Sequence, residues 1–164
     1  MERRLNWTKG IFESSYQLFE GGEIKHTLFF DTWRNEARAI SQQSTYFFKS
    51  NGFMNSSIQL FDDKNNLIAM INYQPWQSKA IVSLTSGEVY HWAFTNNWHS
   101  KWAITDQKAK HVNYDSDLSS GTISANTDDE IMLLIGLYIR EYFNKIIYLI
   151  FFILFVTIVC GNGF

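Results

Sequence analysis

Apolar residues recur at every second position over most of the chain, from residue 11 to 125. In the stretch EVYHWAF, Tyr90, Trp92 and Phe94 share one face, and NLIAMINY alternates in the same way. Turn signals such as Asn51-Gly52 separate these runs at short intervals. The pattern predicts roughly eleven or twelve short strands in an antiparallel sandwich or a closed barrel.

Two segments, residues 33–73 and 76–114, resemble each other in the order of their features. Each opens with Trp-x-x-x-Ala (WRNEA and WQSKA), continues to a strand pattern ending in Asp (IQLFD and WAITD) and closes with Asn-Tyr. Chance agreement in a Trp-rich chain is the alternative, but the shared order favours a duplicated multi-strand unit. Trp33 and Trp76 occupy equivalent positions, so we predict that both serve packing.

Composition limits the possible functions. Of the 164 residues, 46% are hydrophobic and 17% are aromatic, which suits one domain with large rings packed between strands. The net charge is -2 and the basic residues are scattered, so no nucleic-acid partner is predicted. The single cysteine, Cys160, excludes an intramolecular disulfide and fits a reducing compartment. No apolar segment follows the N-terminal arginines, so no secretory signal peptide is predicted.

The period changes at residue 126. TDDE is a typical helix start, in which Thr127 is predicted to cap and Glu130 to complete a capping box. The following IMLLIGLYI (131–139) is apolar on all sides, so this helix has to be enclosed by protein or lipid. A polar belt from Arg140 to Lys145 then indicates where the domain ends.

This layout resembles the tubby C-terminal-like superfamily, which includes the LURP-one-related proteins and the phospholipid scramblases. The resemblance rests on WRNEA and WQSKA, on IQLFD and WAITD, and on TDDEIMLLIGLYI, and it covers roughly residues 11–143. It implies strand repeats that close a barrel around a C-terminal hydrophobic helix. The phosphoinositide-binding Lys and Arg of tubby domains and the calcium-binding segment of scramblases have no counterparts that can be matched here.

The expected fold is therefore mainly β: a closed antiparallel barrel of about twelve short strands around a central hydrophobic helix, with an apolar C-terminal helical tail. We expect the barrel domain at residues 1–143, with its helix from about residue 128. The tail is expected at residues 144–164.

The tail contains IIYLIFFILFVTIVC (146–160), which as a helix is about 22 Å long, against about 30 Å for a hydrocarbon core. Lys145 can extend its amine to the interface and the bilayer can thin locally, so a single membrane anchor with a cytoplasmic domain is predicted. Two alternatives are one long buried helix over 130–160, and a tail that packs on its own domain or on a partner. The predicted membrane contacts are Trp98, Lys145, Ile146, Phe151, Phe152 and Phe155.

The sequence contains no nucleophile motif and no phosphate-binding loop, and its four histidines lie on different predicted strands without ligand spacing. We therefore predict no enzyme activity, no catalytic residue, no cofactor and no metal. The favoured function is a membrane-associated module for lipid contact or scaffolding at the cytoplasmic face. The alternatives are a soluble interaction module, whose tail packs on a protein partner or a second copy, and a scramblase-like lipid transporter.

Overall fold

The computed structural model describes residues 2–10, 14–31, 34–50 and 57–161. Within these ranges the chain forms twelve strands, followed by one long helix, α1 (Glu130–Gly161). A 3₁₀ turn at Pro75–Gln77 lies between the seventh and the eighth strand. The strands are β1 (Arg3–Lys9), β2 (Ser15–Glu20), β3 (Glu23–Phe30), β4 (Ala37–Ser41), β5 (Thr45–Ser50), β6 (Ser57–Phe61), β7 (Leu67–Gln74), β8 (Lys79–Leu84), β9 (Val89–Phe94), β10 (Lys101–Thr105), β11 (His111–Asp117) and β12 (Ser120–Ala125).

The strands form a closed antiparallel barrel. Each strand pairs with its neighbours in sequence, and β1 pairs with β12, where Leu5 lies opposite Ile123. Closure leaves no unpaired sheet edge among these strands. The predicted fold class, a barrel of about twelve short strands with one C-terminal hydrophobic helix, is confirmed.

The period of two in the sequence separates the inner and outer faces of the barrel. On β9, Tyr90 and Trp92 are buried, while Val89 is exposed. On β7, Ala69, Ile71 and Tyr73 are buried, whereas Met70 is exposed. The inward rows and the first half of α1 form one hydrophobic core.

The two similar segments correspond to β4–β7 and β8–β11, with part of the first outside the described residues. Their shared Asp residues have the same role: Asp62 accepts a hydrogen bond from the Asn66 N–H at 2.7 Å, and Asp106 accepts one from the Lys110 N–H at 2.9 Å. Each carboxylate thereby closes the turn that follows its strand.

Trp76 corrects one expectation drawn from the repeat. It lies in the 3₁₀ turn after Pro75 and its side chain is fully exposed, so the prediction that it packs in the core is wrong. The turn lifts the residue out of the inward row of the adjoining strands. Trp33 lies outside the described residues.

Helix α1 is continuous over 32 residues, about 48 Å, and its first half fills the barrel. The indole N–H groups of Trp92 and Trp102 both donate to the Gly136 carbonyl at 3.1 Å. The Tyr114 hydroxyl donates to the Met132 carbonyl at 2.7 Å. A Cβ atom at Gly136 would overlap the Tyr114 ring and hydroxyl, so only glycine allows this approach.

The helix start differs in detail from the predicted capping box. The Asp129 carboxylate accepts from the Ile131 N–H at 3.1 Å, and Thr127 Oγ1 accepts from the Asp129 N–H at 3.2 Å. Glu130 is the first helical residue rather than the third, and its carboxylate accepts from Ser41 Oγ at 2.9 Å and Tyr46 Oη at 3.0 Å. Glu130 therefore ties the helix to the barrel wall instead of capping it.

Candidate functional site

The barrel has two chemically different ends. Because consecutive strands are antiparallel, their connections alternate between the ends. The helix-start end carries the connection from β12 to α1 and those that begin after β2, β4, β6, β8 and β10. The exit end carries the connections that begin after β1, β3, β5, β7, β9 and β11, and α1 leaves the barrel there.

A buried polar group, here named the mouth cluster, fixes α1 just inside the exit end. It consists of Lys9, Tyr16, Ser116, Arg140 and Glu141. The Lys9 amine donates to both Glu141 oxygens at 2.8 Å, and Tyr16 Oη donates to Glu141 at 2.8 Å. Arg140 donates to Tyr16 Oη at 3.0 Å and to Ser116 Oγ at 3.3 Å.

The mouth cluster is held in an apolar surrounding. Arg140 and Glu141 are each 8% exposed, and the Arg140 guanidinium lies 5.0 Å from the Trp7 ring and 4.8 Å from the Trp102 ring. Burial, together with the Glu141 charge, raises the pKa of Tyr16 well above its usual range, so the phenol keeps its proton and donates.

Sequence reasoning interpreted these charges as the boundary of the domain. In the structure Arg140 and Glu141 lie inside the barrel, paired with strand residues, and the helix continues through them. The belt lies at the exit end, and its first two charges face interior partners rather than solvent, because a polar side chain on an apolar helix can meet a buried partner as well as a surface. The cluster fixes both the rotation of α1 and its position along the barrel axis.

The helix leaves the barrel at Lys145. Its amine donates to the Asp31 carbonyl at 3.3 Å and lies 5.7 Å from the centre of the Phe30 ring. Ile146 is half-buried, and every residue from Tyr148 to Cys160 is exposed. The boundary between enclosed and exposed helix thus falls within one turn.

The exposed half, named here the tail helix (residues 148–160), is apolar around its circumference. Phe151, Phe152 and Phe155 are each about two-thirds exposed, and together with Tyr148 they occupy one side of the helix. The alternative of one long buried helix over 130–160 is excluded: the helix is continuous, but its second half is exposed. The tail helix also does not fold back onto its own barrel.

Among the described residues, α1 is the one helix that is long and apolar enough to cross a membrane, by length and composition. Length and composition alone are a weak criterion, since the core helix of a soluble protein also meets them. Here most of the apolar stretch is exposed rather than enclosed in the core.

Large apolar side chains stand at the tips of the exit-end connections. Trp98, between β9 and β10, is 89% exposed, as its predicted membrane contact requires. Trp76, between β7 and β8, and Leu118, between β11 and β12, are exposed to the same degree or more. From the sequence Trp76 was assigned to packing and Leu118 was missed, although the alternation of connections in an antiparallel meander assigns all three to one end.

The helix-start end is polar. A cavity of about 550 Å³ opens there, and its lining includes Arg3, Glu20, His26 and Glu130. Arg3 donates two hydrogen bonds to Glu20 at 2.7 Å, which lowers the pKa of that carboxyl. His26 is buried, and neither of its ring nitrogens has a hydrogen-bond partner among the described residues; burial lowers the pKa of its imidazole.

The described residues contain no group of three or more His, Cys, Asp or Glu side chains placed to hold a metal ion. No family model, no curated protein and no solved structure matches the chain. The likeness to the tubby C-terminal-like superfamily therefore remains a prediction based on the sequence and its layout.

Proposed function

We propose that the protein is a non-enzymatic module held at the cytoplasmic face of a membrane by its C-terminal helix, where it contacts lipid or acts as a scaffold. The observation that carries the proposal is the tail helix, whose apolar side chains are exposed on all sides. A helix of this composition is stable in hydrocarbon and costly in water.

The attachment of the tail helix to the barrel supports an anchoring role. A flexible linker would leave the domain free to tumble, whereas α1 continues from the barrel interior into the tail without a break. Hydrogen bonds from Trp92, Trp102 and Tyr114, together with the mouth cluster, hold the enclosed half. The barrel and its anchor would therefore move as one body.

The charges near the exit support a cytoplasmic barrel. Lys145 sits where the helix leaves, and Lys79 and Lys101 begin β8 and β10 at the same end. Arg140 does not contribute to this argument, because it is buried in the mouth cluster. Lysines next to a membrane helix favour the cytoplasmic side, where anionic lipids attract them.

Fractionation of cells tests the proposal. The full chain is expected to sediment with membranes and to resist an alkaline wash. Phe152→Lys combined with Phe155→Lys is expected to release it, because each lysine at the centre of a membrane helix costs about 2.5–3.5 kcal/mol. The matched control places the same two charges at the helix-start end, as Gln43→Lys and Ser86→Lys, and is expected to stay with the membrane.

The competing function, a soluble module whose tail helix packs on a second copy, predicts a different result. In that case the full chain stays in the soluble fraction and behaves as a defined oligomer without detergent. Such a result would overturn the membrane proposal.

A further inference from the structure

The exit end of the barrel carries apolar side chains that no contact within the described chain explains. Trp76, Trp98 and Leu118 stand on three neighbouring connections of the end where α1 leaves. Single exposed apolar residues are common on soluble proteins, but three large ones on neighbouring connections of one end are not scattered.

The helix-start end provides an internal comparison. Its six connections contain no apolar residue larger than alanine, over residues 21–22, 42–44, 62–66, 85–88, 106–110 and 126–129, all of them described. Those connections also carry six acidic residues and three lysines: Asp62, Asp63, Glu88, Asp106, Asp128 and Asp129, with Lys64, Lys108 and Lys110. The apolar tips are therefore a property of one end and not of hairpin turns in this chain.

The geometry of α1 decides what can cover the exit end. The mouth cluster fixes the helix along the barrel axis, and Lys145 bonds to the connection that follows β3. The apolar stretch begins at the next residue, Ile146, and is exposed from Tyr148 onward. If the tail helix is in a membrane, the exit end lies within about one helical turn, 5.4 Å, of the lipid boundary.

The length of the apolar stretch draws the barrel closer still. Residues 146–160 span about 22 Å as a helix, less than the roughly 30 Å of a hydrocarbon core. A short span is accommodated by thinning the bilayer or by pulling its flanking structure into the interface. Trp side chains are stable at that depth, since the ring is apolar and its N–H can bond to headgroups or water.

We propose that the exit end is a second membrane-contact surface, on which the tips Trp76, Trp98 and Leu118 sit in the lipid headgroup region beside the spanning helix. This inference rests on the proposed anchor and adds to it a defined orientation. The barrel stands on the bilayer with its acidic helix-start end pointing away. Lys79 and Lys101, at the starts of β8 and β10, then face anionic headgroups, although Lys101 also pairs with Asp115 at 3.1 Å.

The test measures the depth of labelled positions in the full chain, reconstituted into vesicles of phosphatidylcholine and phosphatidylglycerol. In a Cys160→Ser background, an environment-sensitive fluorophore is placed at Gln77→Cys or Asn97→Cys, beside the tips, so that the tips themselves remain. Controls carry the fluorophore at Gln43→Cys or Lys108→Cys on the other end, and Phe152→Cys reports on the tail helix. The quencher is a lipid with a nitroxide near its headgroup.

We expect the fluorophores at positions 77 and 97 to shift to the blue when the chain is in vesicles and to lose emission when the nitroxide lipid is present. The fluorophores at positions 43 and 108 should show neither change. Replacing all three tips by serine should restore much of the emission at Asn97 while Phe152 remains shielded from water. Quenching at neither Gln77 nor Asn97, with Phe152 inserted, overturns the second surface and leaves the anchor intact.

Other outcomes identify other occupants. A blue shift at Gln77 and Asn97 in buffer without lipid, in an oligomer, would assign the exit end to a second copy of the chain and overturn the proposal. Equal quenching at both ends would show adsorption without orientation and would also overturn it. An uninserted Phe152 would remove the proposed anchor itself.

Discussion

The two ends of the barrel are built from the same kind of hairpin connection, yet their side chains differ in kind. At the helix-start end, the turns are polar and enclose an open cavity around His26. At the exit end, Trp76 and Trp98 project from their turns, and the tail helix leaves the barrel at the same end. Strand pairing determines which connections share an end of the barrel. The composition of those connections then indicates whether that end is suited to water or to an apolar environment.

The two ends also hold α1 in different ways. At its start, the Glu130 carboxylate accepts hydrogen bonds from the neutral hydroxyls of Ser41 and Tyr46 near water. At the exit, Glu141 accepts bonds from Lys9 and Tyr16 in a nearly buried site. Charges removed from water depend far more on their partners, so equivalent substitutions should have unequal effects.

The largest expected effect is at the mouth cluster. Glu141→Ala should lower the free energy of unfolding by about 3–5 kcal/mol, because it leaves the Lys9 amine and the Tyr16 hydroxyl without their acceptor in a nearly buried site. Glu130→Ala should cost about 1–3 kcal/mol. Denaturant unfolding in a mild detergent, followed by tryptophan fluorescence, measures both, and equal losses would contradict the contrast.

Substitutions in the enclosed and the exposed halves of α1 should also have unequal effects on stability. Gly136→Ala should destabilise by about 1–3 kcal/mol or more, since the added methyl group overlaps the Tyr114 side chain. Thr157→Ala, on the tail helix, should change stability by less than about 0.5 kcal/mol. Thermal unfolding of the two variants checks the prediction, and a silent Gly136→Ala would mean that the helix sits differently in the barrel.

A buried and an exposed tryptophan should also differ in their contribution to stability. Trp102→Phe removes an N–H that bonds to Gly136, and we expect a loss of about 1 kcal/mol. Trp76→Phe should leave stability within about 0.5 kcal/mol, because its ring is fully exposed. Similar losses in the two unfolding curves would show that Trp76 packs against something.

The smallest expected effect is a pH dependence that arises at the helix-start end. Burial holds the pKa of His26 below its ordinary value of 6.5 in the folded state, despite the opposing charge of Glu130. As the pH falls, His26 therefore takes up a proton in the unfolded chain at a higher pH than in the folded chain. The contribution of neutral His26 to the free energy of unfolding is complete above pH 6.5, and it declines as the pH falls toward the folded-state pKa.

Melting curves from neutral to mildly acidic pH test this behaviour. His26→Phe should flatten the decline between pH 6.5 and the onset of carboxylate protonation. An unchanged slope in the variant would assign the effect to other groups, such as Glu20, whose pKa is lowered by Arg3 and which titrates at more acidic pH.

The sequence was informative wherever one physical rule dominated. Alternation with period two identified the strands, and the apolar stretch 131–139 identified the enclosed helix, because each pattern admits few other structures. It was misleading where a residue has two possible surroundings. Arg140 and Glu141 suggested a surface because their partners Lys9 and Tyr16 lie more than a hundred residues away in the chain.

The candidate site was predicted in part for a similar reason. Trp98 follows a turn signal and was correctly expected at a tip. Trp76 was assigned to packing from its position in the repeat, but sequence equivalence does not reveal that a 3₁₀ turn lifts it out of the inward row. Leu118 gives no signal by itself, and only the barrel topology groups it with the other tips.

Neutron reflectometry on a supported bilayer containing the full chain tests the central claim most directly. If the barrel stands on the bilayer, the profile should show a layer of protein density about 25–30 Å thick, as expected for the enclosed half of α1 and its connections. That layer should abut the headgroups with no intervening water, and scattering from the tail helix should lie within the acyl region. A water layer between the barrel and the headgroups, or protein density without acyl penetration, would contradict it.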